Sequence, residues 1–276
     1  MTYQPYAGKI IYQKNLTDDL AIFRLELSDK SKILAFKPGQ FVPLGVKIKD
    51  KVVYRAYSIS SPPEERRYYE FYIRWATKPV LVKITSALFT LKKNKLIFWR
   101  KPAGVFTIED KKPNGILETR QMIFVSSGTG IAPFISYILH LRKVGSKRKI
   151  VLLHGAKYVA ELGYKNMLER LASETRDNWN FTYIPTVSQQ DHPSSKGWTG
   201  NVGRVGDLLT DIDNHKSELE KKLGKNVTPK NSFFYICGYN NTINRVISFL
   251  SPLGFVSNRN KRKDGSFDIK FESYGE

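Results

Sequence analysis

The hydrophobic pattern of this chain changes at Lys111-Lys112-Pro113-Asn114-Gly115, and that change limits the possible folds more than any single residue does. Before it, from Lys9 to about Asp110, apolar residues come in short runs rich in Ile, Val, Phe and Tyr: Ala21 to Leu27, Gln40 to Leu44, Tyr68 to Trp75 and Lys95 to Trp99. These runs are separated by turn formers at Pro38-Gly39, Ser61-Pro62-Pro63 and Lys101-Pro102. They predict an antiparallel β-barrel or sandwich, because β-branched and aromatic side chains suit a pleated, half-buried surface. One segment differs: Pro79 to Leu91 carries Val82, Leu88 and Leu91 at helical spacing, with Ile84 between, and predicts a short helix closing one end. After the change, strands at Gln121 to Val125, Lys149 to Leu153, Phe181 to Pro185 and Phe233 to Ile236 alternate with helices. The helices are predicted at Ala132 to Lys143, Tyr158 to Ser173, Gly206 to Leu223 and Thr242 to Leu250. Strand and helix in alternation predict an α/β domain, a parallel sheet covered on both faces. The expected division is a β-barrel over 1–112 and a Rossmann-like unit over 113–276, since 276 residues exceed what one core usually holds.

Composition narrows the chemistry. No run of about 20 apolar residues is present to span a bilayer, so membrane insertion is not expected. Met1 to Tyr12 lacks a basic head followed by an apolar stretch, so no export signal is visible and the cytoplasm is the expected compartment. Cys237 stands alone, which rules out an internal disulfide and a four-cysteine cluster, and the four histidines lack ligand spacing, so no metal site is expected. Forty-five Lys and Arg against 25 Asp and Glu give a net charge of +20, which attracts nucleic acid, an anionic membrane surface or an acidic protein. That charge is spread over many segments with no nucleic-acid motif around it, so nucleic acid is not an expected partner.

Three groups of residues carry chemistry. In Met122-Ile-Phe-Val-Ser-Ser-Gly128-Thr129-Gly130-Ile-Ala132-Pro133-Phe134 a glycine pair lies between a buried strand and a helix with proline in its first turn. Glycines there let backbone amides approach a pyrophosphate at the positive end of the helix, and the alternative is merely a tight turn. In Arg55-Ala56-Tyr57-Ser58-Ile59-Ser60-Ser61 a cation, an aromatic and hydroxyls are grouped, with Arg55 and Tyr57 on one face of a strand and Ala56 and Ser58 on the other. Cys237-Gly238 ends a strand where open α/β folds bind ligands, although a lone cysteine is by itself an ordinary buried apolar residue.

Taken together, Arg55-Ala-Tyr-Ser, then Gly128-Thr-Gly-Ile-Ala-Pro-Phe, then Cys237-Gly238 and the closing Phe271-Glu272-Ser273-Tyr274 resemble the ferredoxin–NADP reductase family, in order over nearly the whole chain. The resemblance implies an FAD-dependent reductase moving electrons between NADP(H) and a one-electron carrier, an acidic ferredoxin or flavodoxin. It implies that Arg55 meets the FAD pyrophosphate, Tyr57 stacks on the flavin, Ser58 hydrogen-bonds near its reactive nitrogen, and Tyr72 and Ile73 line it. Thr85 and Ser86 resemble a second flavin motif at a helix start, with Lys78-Pro79-Val80-Leu81 where the family usually has a glycine. Gly128, Thr129, Gly130, Ala132 and Pro133 would cradle the nicotinamide dinucleotide. Cys237 and Gly238 would lie beside the nicotinamide, Glu272 would orient it or relay protons, and Tyr274 would stack on the flavin face that the nicotinamide must occupy. For the 2′-phosphate, Gln189 stands where NADPH enzymes of the family usually have arginine, while Arg204 matches their second phosphate-binding arginine. An NADH-dependent flavin reductase of the cytochrome b5 reductase type is the alternative.

Overall fold

The computed structural model describes residues 6–27, 34–48, 51–75, 79–90, 96–175, 179–210 and 217–274, with the backbone alone for 79–83. Contacts divide the chain into one unit of Met1–Ile108 with Ala132–Leu141, and another of Glu109–Ile131 with Arg142–Glu276.

In the first unit, β1 (Tyr6–Thr17), β2 (Leu20–Leu27), β3 (Phe41–Ile48), β4 (Lys51–Ser58), β5 (Tyr68–Arg74) and β6 (Leu96–Trp99) form one sheet in the order β4-β3-β6-β1-β2-β5. Its described neighbours are antiparallel. The two outer strands meet through an Ile59–Phe71 bridge and a Ser60 amide donating to the Glu70 carbonyl at 2.8 Å, so the sheet closes into a barrel. Alternate residues fill it: Ala21, Phe23, Leu25 and Leu27 from β2, Val42, Leu44 and Val46 from β3, Tyr69, Phe71 and Ile73 from β5. That is the period of two that a pleated strand imposes. Helix α1 (Pro79–Thr90) adds Ile84 and Leu88, one turn apart, to the same core. β1, which the apolar runs do not reveal, is largely exposed along its length.

The second unit carries β7 (Gln121–Ser127), β8 (Ile150–Ala156), β9 (Phe181–Val187), β10 (Asn201–Val202), β11 (Ser232–Gly238) and β12 (Ile269–Ser273), all parallel in the order β10-β9-β8-β7-β11-β12. β8 and β11 are buried at every position, so they read as continuous apolar runs rather than alternating ones. Helix α2 (Ala132–Lys143) follows β7, and its Phe134 and Tyr137 pack around Phe106 within the first unit.

Two predicted helices are shorter than their patterns suggest. Tyr158 to Ser173 divides into a single 3-10 turn, Val159–Glu161, and α3 (Lys165–Ala172), with Tyr164 between them at a left-handed φ of 65°. Leu162, between the two pieces, packs with Ala156 and Val187, and α3 buries Leu168 and Leu171. Gly206 to Leu223 likewise begins as a 3-10 turn, Val205–Leu209, and is extended at Thr210. Among the described residues it is helical again in α4 (Glu218–Leu223), where the Ser217 hydroxyl accepts from the Glu220 amide and Gly224 ends the helix in left-handed conformation. Helix α5 (Asn240–Leu250) completes the unit. No described helix is long and apolar enough to cross a membrane.

Candidate active site

On the barrel, β4 runs antiparallel to β3 with Arg55 opposite Leu44, Tyr57 opposite Val42 and Ser58 opposite Phe41. Tyr57 is half-buried against the barrel core, and burial raises its phenol well above the usual value, outweighing the opposing pull of Arg55. The ring therefore offers a neutral aromatic face. Arg55 is half-exposed and donates from Nη1 to the Tyr54 carbonyl at 3.0 Å, while Ser58 is buried at the strand end. On β5, Ile73 belongs to the core, so its side chain is turned inward and only its backbone is available to a ligand. Tyr72, its neighbour, points to the opposite face.

The placement of Thr85 and Ser86 departs from the expectation. Helix α1 begins at Pro79, so these residues lie beyond its first turn, where amides belong to the helical ladder and are not presented to an anion. Pro79, within the Lys78-Pro79-Val80-Leu81 sequence that stands in place of the usual glycine, starts the helix earlier, since proline suits a first helical position. Only side-chain hydroxyls remain, and Thr85 is itself buried.

In the second unit β7 ends in the 3-10 turn Gly128–Ile131, which leads into α2 with Ala132 and Pro133 buried in its first turn. Gly128 holds a φ of 54°, and a Cβ on Gly130 would come 2.2 Å from the Cys237 carbonyl oxygen. The turn is thus drawn tight against the end of β11. β12 pairs with β11 so that Glu272 is opposite Cys237 and Ser273 opposite Gly238. The Tyr274 amide donates to the Gly238 carbonyl at 3.1 Å, and the Ser273 hydroxyl to Asn240 Oδ1 at 2.6 Å. Cys237 is fully buried. Burial and then the Glu272 charge push its thiol far up, against a smaller opposing effect of a hydrogen bond with Tyr274. It is a neutral thiol, unsuited to act as a nucleophile. Cys237, Gly238, Glu272 and Tyr274 are gathered beside the glycine turn, at the carboxyl edge where an open parallel sheet receives its ligands.

Residues 7–108 match the oxidoreductase FAD-binding domain and residues 124–247 the oxidoreductase NAD-binding domain. The chain is 29% identical over 213 residues to the ferredoxin–NADP reductase of Pseudomonas aeruginosa, covering 75% of this chain and 78% of that one. The chain joins an FAD-binding and a NAD-binding oxidoreductase domain and is similar to the ferredoxin–NADP reductases. It is also 31% identical over 212 residues to one component of the Na(+)-translocating NADH-quinone reductase of Marinomonas sp., 74% of this chain but 47% of that component. Its fold is that of the ferredoxin NADP+ reductase from Neisseria gonorrhoeae with bound FAD and NADP, at a TM-score of 0.76, 22% identity and 97% coverage of both chains. It is an FAD-dependent oxidoreductase using a nicotinamide dinucleotide. The Cβ-free cradle at Gly130 and the aromatic, cationic and hydroxyl groups at the end of β4 fit those two cofactors.

Gln189 and Arg204 also come together at the carboxyl edge. Gly203 donates its amide to the Val187 carbonyl at 2.9 Å, which sets Arg204 beside the Ser188-Gln189 end of β9. Gln189 and Arg204 are both exposed, and no carboxylate side chain pairs with the Arg204 guanidinium among the described residues. Two residues escaped sequence reasoning. Asp207 accepts the Arg204 amide at 2.7 Å and pairs with Arg245 at 2.5 Å, so it ties a second cation to the same turn. Tyr239, 42% exposed, lies against Gly128. Tyr239 carries no spacing signal, since it reaches its turn from a separate segment, whereas Asp207, three residues after Arg204, closes its turn locally.

Proposed function

We propose that this reductase passes electrons between NADP(H) and an acidic one-electron carrier, ferredoxin or flavodoxin, with residues 1–112 serving the flavin and 113–276 the nicotinamide nucleotide. The convergence of Cys237, Glu272 and Tyr274 beside Gly128 and Gly130 carries this reading. Bound FAD would supply the ability to accept a hydride and release single electrons. Arg55 pairs with its pyrophosphate, helped by the hydroxyls of Thr85 and Ser86. Tyr57 and Tyr72 give it aromatic walls, Ile73 a backbone edge, and Ser58 a hydrogen bond near its reactive nitrogen. Gly128, Thr129, Gly130, Ala132 and Pro133 hold the dinucleotide, since amides at the start of α2 face an anion without a side chain in the way. Cys237 and Gly238 leave a small neutral floor for the nicotinamide, Glu272 orients it, and Tyr274 yields its place to it. These groups align reactants rather than bond to them.

A second reading, an NADH-dependent flavin reductase of the cytochrome b5 reductase type, draws on uncharged Gln189 at the 2′-phosphate position. Steady-state diaphorase assays with NADPH and NADH, followed by reduction of ferredoxin and of flavodoxin, separate the two. NADPH preferred, with either carrier reduced, supports the first reading; NADH preferred, with neither carrier reduced, moves the assignment to the second.

A further inference from the structure

The run Lys147-Arg148-Lys149 immediately precedes β8, and Lys225 and Lys230 lie in the segment leading to β11. A parallel sheet starts its strands at one edge, so residues remote in sequence are brought together there. The Gln121 amide donates to the Asn231 carbonyl at 3.0 Å and the Met122 amide to the Lys149 carbonyl at 2.8 Å, which aligns the beginnings of β7, β8 and β11. A cavity of about 480 Å³ opens at this edge. β7 is seven residues long, so it lies roughly 20 Å from the glycine turn at the strand's other end.

The lining of this cavity is unbalanced in charge. It includes six cations and no Asp or Glu. Arg120 is neutralised by Glu118 at 2.5 Å and Asp268 at 2.7 Å. The other five, Lys147, Arg148, Lys149, Lys225 and Lys230, make no ion pair among the described residues. Arg148 is held by main-chain carbonyls instead, Nε donating to Arg120 at 2.9 Å and Nη1 to Glu109 at 3.2 Å, with no acceptor for its buried Nη2. Carboxylates act on it only from a distance, and burial lowers the guanidinium from its usual value. The ammonium of Lys149 is likewise held low, by burial first and then by the charge of Lys225. A neighbouring cavity, at the starts of β11 and β12, differs in carrying Glu109, Glu118, Asp264 and Asp268 among its cations.

Like charges brought together in a concave site lower stability unless an anion enters. The concavity and volume suit a compact ligand more than an extended surface. We infer that the amino-terminal edge of the parallel sheet, around Lys149 and Lys225, is a second anion site that takes a small polyphosphate, separate from the nicotinamide nucleotide site.

The test titrates sodium tripolyphosphate into the FAD-loaded full chain by calorimetry at low ionic strength, with NADP+ saturating so that the nucleotide edge is occupied. One equivalent should bind. Lys149→Gln/Lys225→Gln should weaken it at least tenfold, leave NADPH diaphorase activity unchanged and raise the ligand-free Tm, because the repelling charges are gone. Arg204→Ala should leave tripolyphosphate binding intact. Lys147→Gln/Lys230→Gln, at exposed positions that the fold does not need, should weaken binding at least threefold and keeps the test valid if the first variant unfolds. The inference fails if neither pair of substitutions changes the affinity, or if saturating NADP+ abolishes binding. It also fails if polyglutamate or a single-stranded oligonucleotide binds this edge more tightly than tripolyphosphate, which would make it a docking face for a macromolecule.

Discussion

Arg204 illustrates how a residue's surroundings set its use: it is exposed, has no carboxylate on its guanidinium among the described residues, and lies next to an uncharged Gln189. A phosphate there meets one unpaired cation, since Arg245 is neutralised by Asp207, where the resemblance implies a pair of arginines. NADPH should therefore be preferred over NADH by a reduced margin. Arg204→Ala should nearly abolish the preference and Gln189→Arg increase it, each by roughly 1.5–3 kcal/mol in the ratio of kcat/KM values, as for a hydrogen bond to a charged group. Ratios unchanged in both variants would remove these residues from coenzyme choice. Cys237 gives a second prediction. A fully buried thiol pushed far above its usual value is not a thiolate at pH 8, so iodoacetamide should label it only on unfolding, as mass spectrometry would reveal. Tyr274, 38% exposed just past the end of β12, leads to a third. If it competes with nicotinamide for the flavin, Tyr274→Ser should tighten NADP+ binding and slow turnover; unchanged binding and kinetics would place it outside the reaction.

At the scale of elements, β8 carries a titratable group in its interior. His154 is fully buried, its Nδ1 is 3.0 Å from the Tyr183 hydroxyl, and burial lowers it from 6.5 to about 3. A lowered histidine is neutral in the fold and takes up a proton on unfolding, so its contribution is complete above about pH 6.5 and is lost as pH falls toward 3. Between pH 6.5 and 5 this amounts to about 2 kcal/mol of stability. Urea midpoints should fall over that interval, and His154→Gln should flatten the slope; an identical slope in the variant would assign the effect to other groups. The elements themselves are unevenly legible in the sequence. α2 follows its pattern from Ala132 to Lys143, and every position from Ala132 to Ile138 is buried. The pattern from Tyr158 to Ser173 satisfies helical spacing as well, yet the chain turns at Tyr164, whose left-handed φ of 65° separates the 3-10 turn from α3. Periodicity records that residues are buried, not against what.

For the whole molecule, the net charge of +20 bears on encounter with a carrier. That charge is spread over many segments, and Arg74, for one, is paired with Asp19 at 2.7 Å, so the summed field matters more than any one side chain. Reduction of an acidic ferredoxin or flavodoxin should slow at least about tenfold as ionic strength rises from about 0.05 to 0.5 M, because screening shortens the reach of the field. A rate independent of salt, measured by stopped flow, would exclude electrostatic steering.

The amino-acid sequence by itself determined what depends on neighbours in the chain: the period of two in β2 and β5, the buried runs of β7 and β8, and the glycine turn that needs a left-handed Gly128. Tertiary structure decided what depends on pairing between distant segments. Nothing local says that β12 lies beside β11, yet only that register puts Glu272 opposite Cys237. Nothing local says that Lys149 and Lys225 share an edge of the sheet. The resemblance sets Thr85 and Ser86 at a helix start, whereas they lie within α1, which begins at Pro79 as its apolar spacing predicts. Backbone preference and burial period are properties of a few consecutive residues, whereas register and shared edges arise only when strands far apart in the chain exchange hydrogen bonds.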